Sequence, residues 1–128
     1  MKILGIDYGD KRIGLALADS QSIAVPYKVI SYSKLADFLT ELKSLIETEN
    51  IATIVIGLPH SLSGQANDRL QITQSFVDYL KKNISLPIIT VDEQYTSKMY
   101  TKMGITKYLD KHAATAILET WLQQQKHD

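Results

Sequence analysis

The stretch Lys2–Asp19, KILGIDYGDKRIGLALAD, decides the fold. Its first six residues are an apolar run ending on a carboxylate, Asp7. In a strand, Ile3, Gly5 and Asp7 point to one face and Leu4, Ile6 and Tyr8 to the other. Tyr8-Gly9-Asp10-Lys11 reads as a turn, with Gly and Asp supplying backbone freedom. Arg12–Ala18 is then the return strand of a hairpin, where Ile13, Leu15 and Leu17 alternate with Gly14, Ala16 and Ala18. The small-residue face of that hairpin lets another element pack very close to the sheet. A buried strand ending in an acid beside a glycine turn is a common way to hold a phosphate-bound metal. The question for the rest of the chain is what joins Asp7.

Beyond the hairpin, Val25-Pro26 opens a third strand through YKVISY, and Pro26 suits a strand start. Ser33 is the expected N-cap of a helix over 34–49, whose Leu35, Phe38, Leu39, Leu42, Leu45 and Ile46 follow helical spacing. IATIVIGL, residues 51–58, is a near-continuous apolar run that suits a central strand covered on both faces. A polar loop, His60–Asn67, leads to a helix over 67–82 with Leu70, Thr73, Phe76, Val77 and Leu80 inward. Pro87–Val91 is a further buried strand, followed by Asp92-Glu93. A short helix over 96–103 ends at Gly104. A last helix covers 110–124, and the QQQKHD tail reads as frayed. The order β-β-β-α-β-α-β-α-α predicts an α/β fold, a mixed five-stranded sheet with helices on both faces. It is antiparallel in the hairpin meander and parallel afterwards. In such sheets, sites gather at the carboxyl ends of the strands.

Bulk composition narrows the functional classes. With 128 residues, one domain over 1–128 is the expectation, long enough to bury a core without staples. There is no cysteine, which excludes disulfides, thiol nucleophiles and Cys-ligated zinc. Fourteen basic residues balance fourteen acidic ones, so net charge exerts no pull toward a polyanion, although a local basic patch could still bind one. No apolar run reaches the length of a membrane span, and the N-terminus lacks a signal layout. A cytoplasmic location is the default.

Three acids are candidates for one cleft. Asp7 can cap the Tyr8–Lys11 turn or serve as a ligand, since a carboxylate at the end of an apolar strand must be hydrogen-bonded, exposed or metal-bound. Of the pair Asp92-Glu93, alternation puts Glu93 on the face of Ile89 and Val91 if the strand continues, and Asp92 on the opposite face. Only one of them can face Asp7; the other suits a helix start. Asp110 can be a first-turn acid of the last helix. It also heads that helix's apolar stripe of Ala113, Ala114, Ile117, Leu118 and Trp121, which aims it at the sheet. Ala113 and Ala114 match the small residues Gly5, Gly14, Ala16 and Ala18, and close packing between them would bring Asp110 toward Asp7. Carboxylates crowded together repel unless cations lie between them, and hard oxygen ligands select Mg²⁺ or Mn²⁺. None of the three histidines has a partner at metal-ligand spacing: His60 is a loop residue, His112 a solvent-side helix residue and His127 a tail residue.

The chain resembles the YqgF (RuvX) family of pre-16S rRNA nucleases, once described as Holliday junction resolvase-like. The resemblance is carried by GIDYGDKRIGLALAD at 5–19, IVIGLPHSLSGQ at 54–65, VDEQYTS at 91–97 and DKHAATAILETWL at 110–122. These segments come in the family's order across nearly the whole chain. The resemblance implies a ribonuclease H-like fold, metal-dependent cleavage of nucleic acid, and trimming of the 5′ end of precursor small-subunit rRNA. It implies Asp7, Glu93 and Asp110 as the catalytic, metal-holding acids. Lys11 and Arg12 would lie near the substrate phosphate, and Gly57, Leu58 and Pro59 would form a loop wall against the substrate.

Two departures from the family pattern bear on substrate binding. Gln94 stands where the family's Asp-Glu-Arg motif has arginine, so a guanidinium is lost. The connection before Asp110, MGITKYLD, is short and carries only Lys107 as a base. Both point to weaker or more partner-dependent RNA binding. The expected partner is precursor rRNA, with the ribosomal particle as its setting and the protein a monomer or weak homodimer. Three other readings stay open: a DNA junction resolvase, which needs a dimer; an actin-like or sugar-kinase ATPase, which needs a second domain; and a non-catalytic scaffold associated with nucleic acid.

Overall fold

The hairpin strand β1 (Lys2–Asp7) is the middle strand of a five-stranded sheet in the computed structural model, which describes residues 1–19, 23–59, 68–92 and 109–126. On one side β1 pairs antiparallel with β2 (Arg12–Asp19), which pairs antiparallel with β3 (Val25–Ser31). On the other side it pairs parallel with β4 (Ile51–Leu58), which pairs parallel with β5 (Ile88–Asp92). The spatial order is β3-β2-β1-β4-β5. This is the mixed sheet expected from the sequence, with the antiparallel meander first and the parallel strands after it. The helices are α1 (Leu35–Glu49), α2 (Asp68–Asn83) and α3 (Leu109–Lys126). The expected short helix over 96–103 lies outside the described residues.

Strand alternation divides the core into two layers. Leu4 and Ile6 of β1 and Ile54 and Ile56 of β4 point to one face, where Phe38, Leu42 and Leu45 of α1 and Phe76, Val77 and Leu80 of α2 cover them. Ile3 and Val55 point to the other, where Ala114, Ile117, Leu118 and Leu122 of α3 lie against them together with Ala16 and Ala18 of β2. Both faces of β1 and β4 are therefore dry, which is why these strands read as unbroken apolar runs.

The small-residue face of the hairpin has the role expected of it. A Cβ built at Gly5 would lie 2.9 Å from the Ala114 carbonyl oxygen and 3.1 Å from Leu118 Cβ. The helix backbone thus sits directly on the strand, and any side chain at position 5 would lift it off. The buried stripe of α3 is broader than expected, since Thr115 and Ala116 are buried beside Ala114, Ile117 and Leu118.

Several local expectations change. Ser33 is not the N-cap of α1: Lys34 holds that position with an extended backbone (φ −125°, ψ 135°), and its carbonyl accepts from Asp37 N at 3.0 Å. The helix begins one turn position later than the serine could serve, and lysine has no side-chain acceptor to replace it. At the other end Asn50 closes α1 in the left-handed region (φ 57°), which asparagine tolerates. Its carbonyl accepts Lys2 N at 3.0 Å, tying the exit of α1 to the entry of β1. Helix α3 continues to Lys126, through most of the tail expected to fray. Pro26 sits where the β2–β3 register shifts, on an edge strand, where a missing N–H is tolerated.

A candidate metal-nuclease site at the carboxyl ends of the parallel strands

Asp7 is the last residue of β1, half-buried, and paired across the hairpin with Gly14. It follows Gly5 on the face that α3 covers. Asp110 lies in the first turn of α3, one helical turn before Ala114, whose carbonyl meets Gly5. At about 1.5 Å of rise per residue, that is roughly 6 Å of helix between Asp110 and the contact with Gly5. The backbone of α3 therefore brings the segment bearing Asp110 to the strand that bears Asp7. The Asp110 side chain and all of Glu93 lie outside the described residues.

The parallel strands end side by side. Ile6 pairs with Ile56, Gly57 with Val91 and Leu58 with Asp92. One row of the sheet thus runs from Asp7 to Gly57 to Val91. With adjacent strands about 4.8 Å apart, its ends are separated by roughly 10 Å. Val91 is buried in the layer beneath α3, on Asp7's face. Thr90 lines an open groove with Leu58, Gln74, Val77, Asp78 and Lys81 on the α2 side, and Asp92 shares that orientation by alternation. Gly57 is buried, whereas Leu58 and Pro59 are half-buried at the rim.

Lys11 and Arg12 are exposed on the turn that follows Asp7. That turn is held more firmly than a hairpin requires. The Tyr32 hydroxyl donates to the Gly9 carbonyl at 2.8 Å, and Tyr32 N donates to the Lys11 carbonyl at 3.1 Å. Arg69, at the start of α2, donates from Nη2 to the Tyr8 carbonyl at 3.3 Å. The Tyr8 ring stacks on Phe76 with centroids 4.3 Å apart. Gly9 does not take a left-handed backbone, contrary to the freedom expected of it. It supplies space instead, because a Cβ there would strike the Arg12 carbonyl.

The contacts that Tyr32 and Arg69 make with this turn were not legible in the sequence. The one available signal was register: Arg12 pairs with Ser31, so the residue after β3 must arrive beside Lys11. His112, expected toward solvent, is half-buried and has an interaction partner. His60 and His127 lie outside the described residues. Among those described, no group of three or more His, Cys, Asp or Glu side chains forms a metal cluster, and no helix is long and apolar enough to cross a membrane.

A family model described as "RuvX: Holliday junction resolvase" matches residues 1–124. A protein of Maridesulfovibrio salexigens named "Putative pre-16S rRNA nuclease" is 40% identical over 132 residues, covering 95% of this chain and 98% of its own. A protein of the same name from Desulforudis audaxviator is 33% identical, covering 98% of this chain and 96% of its own. In three dimensions the chain is similar to Thermus thermophilus RuvC in complex with a Holliday junction substrate, at a TM-score of 0.65 and 12% identity. That match covers 98% of this chain and 96% of that one. At such identity the likeness is one of fold, and it agrees with the ribonuclease H-like sheet described above. With a model match over nearly every residue and relatives aligned from end to end, the chain belongs to the RuvX family.

Proposed function

We propose that this chain is a Mg²⁺- or Mn²⁺-dependent nuclease that hydrolyses phosphodiester bonds at the 5′ end of precursor 16S rRNA. The observation that carries the reading is the position of Asp7. In a chain of this family, it ends the middle strand on the face covered by α3, whose first turn bears Asp110.

The donor chemistry fits a hard cation. The candidate ligands are the carboxylates of Asp7, Glu93 and Asp110, and the chain offers no thiolate to draw a softer metal. When bound, such a cation activates water and stabilises the leaving oxygen of a phosphodiester. The residues of the chain do the rest. Asp7 is held at a strand end that packing on both faces keeps still. Lys11 and Arg12 present exposed cations to the phosphate backbone one turn away, and Gly57 with Pro59 forms a wall at the end of β4. The protein works as a monomer or weak homodimer on precursor rRNA, alone or within a ribosomal particle.

A second reading takes a four-way DNA junction as substrate. It is favoured by the description of the matching family model and by the fold of the junction-bound RuvC. One assay separates the two: a 5′-extended 16S rRNA precursor and a synthetic four-way junction, each incubated with Mn²⁺ or Mg²⁺. Cleavage of the precursor, abolished by Asp7→Asn in a variant with an unchanged circular dichroism spectrum, is the expected outcome. Full activity of Asp7→Asn would remove Asp7 from the mechanism, and cleavage of the junction alone would move the substrate to DNA.

A further inference from the structure

We propose that Tyr32 is a positioning residue for the Asp7 site, clamping the turn between Asp7 and Arg12 through two hydrogen bonds from outside the hairpin. The inference rests on the reading of Asp7 as a metal ligand and of Lys11 and Arg12 as phosphate contacts.

Residues 8–11 lie beyond the last β1–β2 pair, Asp7 with Gly14, and before the terminal β2–β3 pair, Arg12 with Ser31. They belong to neither ladder, so their conformation must come from elsewhere. Arg69 and Phe76 hold the turn's first residue, Tyr8, and the residue just past β3 holds the rest. The Tyr32 hydroxyl takes the Gly9 carbonyl and its backbone N–H takes the Lys11 carbonyl, so one residue holds both halves of the turn. Gly9 is suited to this because a side chain there would collide with the Arg12 carbonyl and force the turn open.

The Tyr32 ring is itself fixed. It packs against Phe38 of α1 at 6.0 Å between centroids, and Phe38 packs against Phe76 of α2 at 5.9 Å. Phe76 stacks on Tyr8, the first residue of the turn. The path of rings runs from Tyr32 through both helices to the turn itself, so the clamp is braced on α1 and α2. Burial, followed by a side-chain hydrogen bond with Tyr8 and the nearby Tyr8 and Asp10, raises the Tyr32 phenol above its ordinary value, the direction that favours the protonated donor. A turn held in this way keeps the Asp7 carboxylate and the Lys11 and Arg12 cations in one mutual arrangement. Catalysis by positioning requires that arrangement.

Tyr32→Phe keeps the ring and deletes the hydroxyl. Three proteins are compared: wild type, Tyr32→Phe and Asp7→Asn. In Tyr32→Phe, amide exchange at position 32 should quicken by about tenfold, the scale of one lost hydrogen bond, while the Ile54 amide, bonded to the Pro87 carbonyl at 3.0 Å, keeps its rate. With Mn²⁺ and the 5′-extended precursor, kcat should fall by about tenfold with KM changed less than about twofold. Exchange at position 32 that stays as in wild type overturns the clamp. Faster exchange with unchanged kcat makes Tyr32 a structural residue and overturns the positioning role. The Asp7→Asn arm judges the underlying reading separately: if that variant cleaves as wild type does, the metal assignment fails, whatever Tyr32→Phe shows.

Discussion

At the residue scale, the two tyrosines around the turn show how a polar group becomes useful without being catalytic. Tyr8 and Tyr32 each present a ring to the aromatic layer, while the Tyr32 hydroxyl donates to the Gly9 carbonyl and the Tyr8 carbonyl accepts from Arg69. A phenol whose folded-state pKa is raised stabilises the fold below the unfolded value near 10, and that contribution is lost as pH climbs past it. Wild-type stability should therefore fall more steeply above about pH 10 than that of Tyr32→Phe, as read by urea denaturation at each pH. Equal slopes would mean that Tyr32 titrates as an ordinary phenol. Asp7 stood out as a candidate from position alone, because an acid at the end of an apolar strand needs a reason. The clamp did not, because which carbonyl a tyrosine hydroxyl reaches depends on strand register and ring packing together.

At the element scale, the contact between β1 and α3 sets how closely that helix lies on the strand that ends in Asp7. The glycine and alanines of the hairpin predicted a helix packed close, and Gly5 against the Ala114 carbonyl is that contact. The neighbouring atom is backbone, so it cannot turn aside for a methyl group. Gly5→Ala should cost about 1–3 kcal/mol in urea denaturation, the usual range for overpacking a core, with the m-value unchanged. It should also lower Mn²⁺-dependent activity at temperatures where the variant is fully folded, because α3 carries Asp110 and moves as a unit. A Gly5→Ala variant as stable as wild type would show that α3 can shift freely on the sheet. The boundaries of α1 and α3 were less legible. Ser33 looked like a cap because serine commonly is one, yet α1 begins at Leu35 with Lys34 as its N-cap. The polar tail gave no sign of helix beyond residue 124, yet α3 continues to Lys126 because the preceding turns are fixed by packing.

At the scale of the whole molecule, charge balance limits how strongly the protein can hold a polyanion. Fourteen positive and fourteen negative side chains leave the field to local groups, of which Lys11 and Arg12 adjoin Asp7. If those two make the phosphate contacts, log K for a single-stranded substrate should fall with log salt at a slope of roughly −1.4, from about −0.7 per contact. Lys11→Ala should reduce that slope by about 0.7. Fluorescence anisotropy across a salt series measures both, and nanomolar binding at physiological salt with a much steeper slope would show that other basic groups share the task.

The sequence by itself determined the class of the fold and the sheet face on which Asp7 lies. Unbroken apolar runs can be satisfied only between two layers, and alternation along β1 assigns Asp7 to the face of Gly5 whatever the partners turn out to be. Tertiary structure alone decided that β4 lies on the other side of β1 from its hairpin partner, that Ala114 is the residue seated on Gly5, and that Tyr32 returns from the third strand to hold the turn after Asp7. Those outcomes depend on register and on side-chain volumes meeting across the sheet. Such quantities belong to pairs of distant residues and are written in no single stretch of the chain.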